Sequence, residues 1–250
     1  MKQVLLITGS SGIAAATARM WAVDDPVFVV GINREECRSL AEELGDSGFA
    51  AADVRDEAAV RSAVSACLDR FGRIDALFNV AGISARSVGD GPVHECKTEA
   101  WDTVMDINAR GTFLMCREVL GVWTRNSQSG VILNMGSVLA RHPQREYFAT
   151  AGYAASKGAI EAMSLAAAAY YAPCGIRINV IAPGLVRTPM SSRAQTNPRI
   201  VDYMSHKQPL TKGILSAEDV AKAACFLLRP DSSTITGQMV TVDGGWAVSE

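Results

Sequence analysis

Apolar residues in this chain gather in short runs and do not alternate with polar ones. Seven such runs lie at 4–7, 27–30, 49–52, 76–80, 131–135, 176–181 and 239–242, punctuated by Gly, Asn or Asp. A strand buried on both faces reads this way, as in a parallel sheet covered by helices. Between the runs, 12–23, 34–44, 57–71, 98–125, 151–172 and 216–228 carry helical spacing. Regular β-α-β alternation predicts an α/β fold with about seven parallel strands. An eight-stranded barrel and an open, doubly wound sheet both suit that alternation. A glycine-rich turn follows the first strand, which favours the open sheet.

No repeat, low-complexity tract or Pro/Gly/Ser linker divides the 250 residues, so one domain spanning 1–250 is expected. The stretch 185–213 resists assignment: it holds Pro189, Pro198, Pro209 and Gly213 among mixed polarity. A long irregular segment in a compact α/β domain is commonly a lid or binding loop, with an inert surface excursion as the alternative.

Composition narrows the class. A net charge of −2 lacks the basic footprint of a nucleic-acid binder, and no polybasic run suits an anionic membrane. The Ala-rich stretch near 162–176 is broken by Pro173 and Gly175 and is no membrane span. The first apolar run is too short for a secretory signal. Cys37, Cys67, Cys96, Cys116, Cys174 and Cys225 are scattered without a C-x-x-C pair, so a reducing, cytoplasmic setting is expected.

The turn Thr8-Gly9-Ser10-Ser11-Gly12-Ile13 joins the first strand to the first helix. Gly9 admits a backbone conformation that a Cβ would strain, and Gly12 lets an anion approach the main chain. Free N–H groups at the helix start would then hold a phosphate. Farther on, Tyr153-Ala-Ala-Ser-Lys157 puts a phenol and an ammonium on one helix face. A free phenol, with pKa about 10, is a poor acid–base at neutral pH, and a neighbouring cation lowers that value. Tyr153 is then a candidate to exchange a proton with an alcohol or carbonyl oxygen. Taken alone, the pair reads better as a surface Tyr with a solvated Lys; its context changes that. Ser137 closes the fifth run and Asn79-Val80-Ala81-Gly82 the fourth, where side chains meet the crevice of an open sheet. Asn108 stands within a helical stretch, where Asn is a mediocre former and a polar task is plausible.

Together these residues resemble the short-chain dehydrogenase/reductase family, over essentially the whole chain. The matching stretches come in the family's order: Thr8-Gly9-x-x-x-Gly12, Asp53-Val54, Asn79-x-Ala81-Gly82, Asn108, Ser137, Tyr153-x-x-x-Lys157, and Pro183-Gly184 with Thr188. The resemblance implies a Rossmann-type sheet and reversible hydride transfer between NAD(P) and an alcohol or ketone. It implies Tyr153 as general acid–base, with Lys157 lowering its pKa and holding the nicotinamide ribose. Ser137 would orient the substrate oxygen, and Asn108 would hold a water in a proton relay from Lys157. Gly9, Ser11, Gly12 and Ile13 would cradle the pyrophosphate. Asp53 would accept from the adenine amino group, Val54 would pack on the ring, and Asn79, Ala81 and Gly82 would border the adenosine ribose. Pro183, Gly184, Val186 and Thr188 would flank the nicotinamide. No metal is implied.

Four departures stand out. Ala14 replaces a third glycine and Val80 a frequent Asn. Sixteen residues separate Ser137 from Tyr153, more than the family's usual spacing, which is expected to put His142 and Arg145 near a substrate. At the end of the second strand, Ile32 stands at the position of an acidic, NAD-selecting residue and Asn33 at that of a basic, NADP-selecting one. Arg34 is left to meet a 2′-phosphate or to point into solvent, so either cofactor is expected, with a lean to NADP.

Other features weigh less. His94-Glu95-Cys96 has ligand-type residues but no partner pair, and a solvated loop is the plainer reading. The small residues of 165–172 suggest close helix packing, hence a homodimer or homotetramer. A small-molecule alcohol or carbonyl compound is the expected partner. Competing readings are a silent nucleotide-binding protein of the same fold, or a family member that epimerises or dehydrates.

Overall fold

In a computed structural model, residues 2–249 are described. Seven parallel strands form one sheet: β1 (Leu5–Thr8), β2 (Val27–Gly31), β3 (Ser47–Ala51), β4 (Ala76–Asn79), β5 (Gly130–Met135), β6 (Ile176–Pro183) and β7 (Met239–Val242), in the order β3-β2-β1-β4-β5-β6-β7. The order reverses beside β1, which opens a crevice between the ends of β1 and β4. Helices follow the strands: α1 (Gly12–Trp21), α2 (Arg34–Leu44), α3 (Glu57–Phe71), α4 (Thr98–Val104), α5 (Gly111–Arg125), α6 (Arg145–Phe148), α7 (Ala151–Tyr171), α8 (Ser192–Gln195), α9 (Pro198–Lys207) and α10 (Ala217–Leu228).

The central strands are mostly apolar because they feed two cores. Leu6, Phe28, Val30, Leu77 and Ile132 pack on α3 and α5 through Val64, Leu114, Val119 and Trp123. Their sequence neighbours Leu5, Ile7, Val29, Phe78 and Leu133 face the opposite way, onto Ala14, Ala18 and Trp21 of α1 and Val220 and Ala224 of α10. The side-chain period of 2 divides every run between the two faces. Among the described residues no helix is long and apolar enough to cross a membrane.

Two departures from the sequence reading have physical causes. The expected helix 98–125 is interrupted by a π-helical turn, Met105–Arg110, that contains Asn108. Such turns cluster at functional sites. The unassigned 185–213 holds a regular helix, α9, whose Asn197 side chain accepts from the Arg199 amide at 3.0 Å and whose Pro198 occupies the first turn. Ile200 and Met204 bury its inner face against Val138, Phe148 and Trp246.

Candidate active site

The C-terminal ends of β1, β4, β5 and β6 open into a cavity of about 590 Å³. At its floor, the Thr8 hydroxyl accepts from the Val80 and Ala81 amides at 2.9 and 3.0 Å. That contact pins β4 beside the glycine turn. Gly9, Ser11, Gly12, Ile13 and Ala14 line one wall. Gly12 has φ +54°, and a Cβ there would lie 2.9 Å from Thr188 Cγ2, so glycine is required on both counts. Ser11 begins α1 without capping it, and the first turn of α1 carries no acidic residue. A helix start left with uncapped N–H groups and facing a cavity is a cradle for a phosphate.

Across the cavity stand Ser137, Tyr153 and Lys157. Lys157, 3% exposed, donates from Nζ to the Met135 carbonyl at 2.8 Å, and its Nζ lies 5.6 Å from the Tyr153 ring centroid. Burial pushes its ammonium down to about 8. Burial raises the Tyr153 phenol above its ordinary value, and the Ser137 hydroxyl beside it works the other way. The Ser137 hydroxyl also accepts from the Leu139 amide at 3.2 Å.

Asp90 escaped the sequence reading. Its carboxylate, 5% exposed, accepts from the Gly152 and Tyr153 amides at 3.0 and 2.8 Å. A negative charge at the start of α7 satisfies free N–H groups and complements the helix dipole. It also fixes the backbone that carries Tyr153. No local signal pointed to it, because 62 residues separate the partners.

The Asn108 side chain is engaged within the protein. Its Oδ1 accepts from the Ile83 amide at 2.8 Å, and its Nδ2 donates to the Ile83 carbonyl and to Ser156 Oγ, each at 3.0 Å. Both amide hydrogens are used, and the side chain joins the loop after β4 to α7. Gly82 lets this happen: a Cβ there would lie 2.9 Å from Asn108 Oδ1.

Asn79 lies deeper. It is 2% exposed, away from the main cavity, and donates to Asn134 Oδ1 at 2.8 Å. As the last residue of β4 it points to the α5 face, where it also meets Cys116 Sγ, and it ties β4 to β5. Asp53 is held by Arg55 at 2.6 Å, which keeps its carboxyl below the usual range, and Val54 is buried against Gly111. Neither lines the cavity; nor do Ile32, Asn33 and Arg34. Asn33 caps α2 by accepting from the Glu35 and Glu36 amides. Arg34 lies over the Phe49 ring, 5.5 Å from its centroid. His142 and Arg145 also stay off the lining, where Phe148 and Thr150 stand instead. Ala81, Gly82, Pro183, Gly184, Val186 and Thr188 do line it. His94 is exposed, and no cluster of three or more metal-ligand side chains exists among the described residues.

The family model described as enoyl-(acyl carrier protein) reductase matches residues 7–247. The chain belongs to the short-chain dehydrogenase/reductase family. It is similar to 2-(R)-hydroxypropyl-CoM dehydrogenase of Xanthobacter autotrophicus, 35% identical with 98% of this chain and 99% of that protein covered. D-threitol dehydrogenase of Mycolicibacterium smegmatis is 35% identical, with 98% and 93% covered. Among solved structures, 3-ketoacyl-(acyl-carrier-protein) reductase from Brucella melitensis, complexed with NADH, superposes with a TM-score of 0.86 at 33% identity, covering 98% of both chains. This short-chain dehydrogenase/reductase is therefore an NAD(P)-dependent oxidoreductase of alcohols and ketones, served by a nicotinamide cofactor.

Proposed function

We propose that Tyr153 is the general acid–base of this oxidoreductase, that Ser137 orients the substrate oxygen, and that Lys157 holds the nicotinamide ribose. The carrying observation is the convergence of Ser137, Tyr153 and buried Lys157 on one cavity wall, opposite the uncapped start of α1. The glycine turn fits a dinucleotide: Gly12 clears the approach and α1 presents its free N–H groups. A bound nicotinamide supplies or accepts the hydride at the substrate carbon. In the reducing direction, the Tyr153 hydroxyl delivers its proton to the carbonyl oxygen while the Ser137 hydroxyl donates to the same oxygen. Lys157, anchored on the Met135 carbonyl, keeps its remaining donors for the ribose. Asn108 and Asp90 act through position, holding the loop after β4 and the start of α7.

The cofactor is proposed to be NAD, which reverses the lean that Arg34 suggested. The Glu36 carboxylate accepts from Ser10 Oγ at 2.8 Å and from Asn33 Nδ2 at 2.9 Å. A negative charge thus sits beside the glycine turn at the end of β2, where it repels a 2′-phosphate. Arg34, over Phe49, does not offset it. The NADH complex of the Brucella relative supports the same choice.

The chain is proposed to work as one domain in the cytoplasm, with 185–213 as a lid: Thr188, Met190 and Arg193 line the cavity from that segment. A homodimer or homotetramer belongs to the proposal, because Phe113, Leu165 and Tyr170 leave large apolar surfaces exposed. Oxidation and reduction of a broad alcohol and ketone panel with both nucleotides tests the activity, and light scattering tests the assembly. Turnover coupled to neither nucleotide would overturn the first, and a monomeric mass the second.

A further inference from the structure

The charges on the cavity wall are all of one sign. Arg86, Lys157 and Arg193 line it, and no Asp or Glu does. In a chain with net charge −2, that imbalance is local. Lys157 is committed to the Met135 carbonyl and the proposed ribose contact. Each of the two arginines gives one hydrogen bond to a backbone carbonyl, and neither has a part in the proposed cofactor site.

Arg86 rises from the helical turn Ala85–Val88 after β4 and is partly buried. Its Nη2 donates to the Ala149 carbonyl at 2.9 Å, just ahead of α7. Arg193 comes from α8, within the lid segment, and its Nη2 donates to the Tyr147 carbonyl at 3.2 Å. Among the described residues neither guanidinium has a carboxylate within 4.0 Å. Burial and the charge of Arg193 both push the Arg86 guanidinium down. Asp90 pulls the other way, but its oxygens are taken by the Gly152 and Tyr153 amides. The segment 147–149 therefore receives two guanidiniums, one from the turn after β4 and one from the lid segment, close to the start of the Tyr153 helix.

Like charges that converge in a partly dry cavity repel, and an anion between them removes that cost. Arginine forks suit the planar, multi-oxygen face of an oxyanion. The cofactor's phosphates are accounted for at the start of α1, on the other wall. We infer that Arg86 and Arg193 bind an anionic oxyacid group (carboxylate, sulfonate or phosphate) of the substrate, so that the enzyme acts on hydroxy or oxo acids. This inference rests on the proposed redox site, and it adds a role for the lid: Arg193 closes onto the anion and completes the clamp.

Methyl-ketone acids of increasing chain length (pyruvate, acetoacetate, levulinate, 5-oxohexanoate) should be compared with their methyl esters, and acetonylsulfonate with neutral acetone, using enzyme saturated with NADH. At one spacing or more, kcat/KM for the acid is expected to exceed that of the ester about tenfold or more, the scale of one charge-assisted hydrogen bond in a shielded site. Arg193→Gln and Arg86→Gln should each reduce that ratio about tenfold, chiefly through KM. Should Arg86→Gln fail to fold, the exposed Arg193 carries the comparison alone. Esters matching acids at every spacing, or a ratio unmoved by the substitutions, would overturn the inference. Calorimetric binding of the same acids and esters to the NADH complex separates the two levels. Tighter acid binding without turnover would remove the redox reading and leave the anion site standing.

Discussion

Replacing Asp90 by alanine withdraws the carboxylate that caps the start of α7. Two amides, Gly152 and Tyr153, then lose an acceptor at 3.0 and 2.8 Å in a site where the Asp side chain is 5% exposed. A hydrogen bond to a charged group contributes about 1.5–3 kcal/mol, and water reaching a vacated site recovers part of it. Summed over two bonds and discounted for that recovery, Asp90→Ala should destabilise the fold by about 3 kcal/mol. Asp90→Asn keeps one acceptor oxygen and loses the charge, so about 1 kcal/mol is expected. Because one of the two amides belongs to Tyr153 itself, the helix start should also shift. A displacement of that kind at a reacting group lowers kcat tenfold or more. Urea denaturation followed by circular dichroism gives the stability change, and steady-state turnover with saturating NADH gives kcat. An alanine variant within 0.5 kcal/mol of the parent, with unchanged kcat, would refute the positioning role of Asp90.

Lys157 makes a pH prediction. Its folded pKa, about 8, lies below the ordinary lysine value of 10.5, so between these values the unfolded chain binds more protons and stability rises with pH. Below pH 8 the buried ammonium costs about 3 kcal/mol relative to an uncharged side chain. Lys157→Met should therefore be the more stable protein at pH 7, with the gap narrowing between pH 8 and 10 in urea melts; a gap independent of pH contradicts the burial argument. For the cofactor, kcat/KM should favour NAD over NADP at least tenfold, and Glu36→Gln should narrow the ratio. A parent enzyme that prefers NADP removes Glu36 from the account. Gly82→Ala places a methyl 2.9 Å from Asn108 Oδ1 and should lower kcat while costing about 1–3 kcal/mol of stability; wild-type turnover would show that the Asn108 strut is dispensable.

The central strands were legible because burial on both faces leaves few polar residues to blur a run, as in Val27–Gly31. The glycine turn, Ser137 and Pro183-Gly184 were legible because they stand at or just after strand ends, and Tyr153 and Lys157 because they share a helix face. Side-chain direction was harder to read. Asn79 ends β4 as expected, yet it points to the α5 face, which its contacts with Cys116 and Asn134 reveal. Asp53 stands at its expected place, yet Arg55, two residues on, claims its carboxylate. The turn around Asn108 has no sequence signature within a continuous helical pattern. The Asn197-Pro198 start of α9 did have one, hidden by the surrounding prolines. Asp90 and the Arg86–Arg193 pair arise from contacts between distant segments, which no local pattern records.

The central claim is that the Tyr153 hydroxyl moves the proton. Tyr153→Phe removes one oxygen from a partly buried ring packed beside Ala85 and Val104, and should leave the fold intact. The decisive measurement is the rate of NADH oxidation by this variant with a ketone that the parent reduces, at equal nucleotide saturation. A fall in kcat of about 10²–10⁴ with unchanged NADH affinity is predicted. Turnover at the parent's level would contradict the assignment.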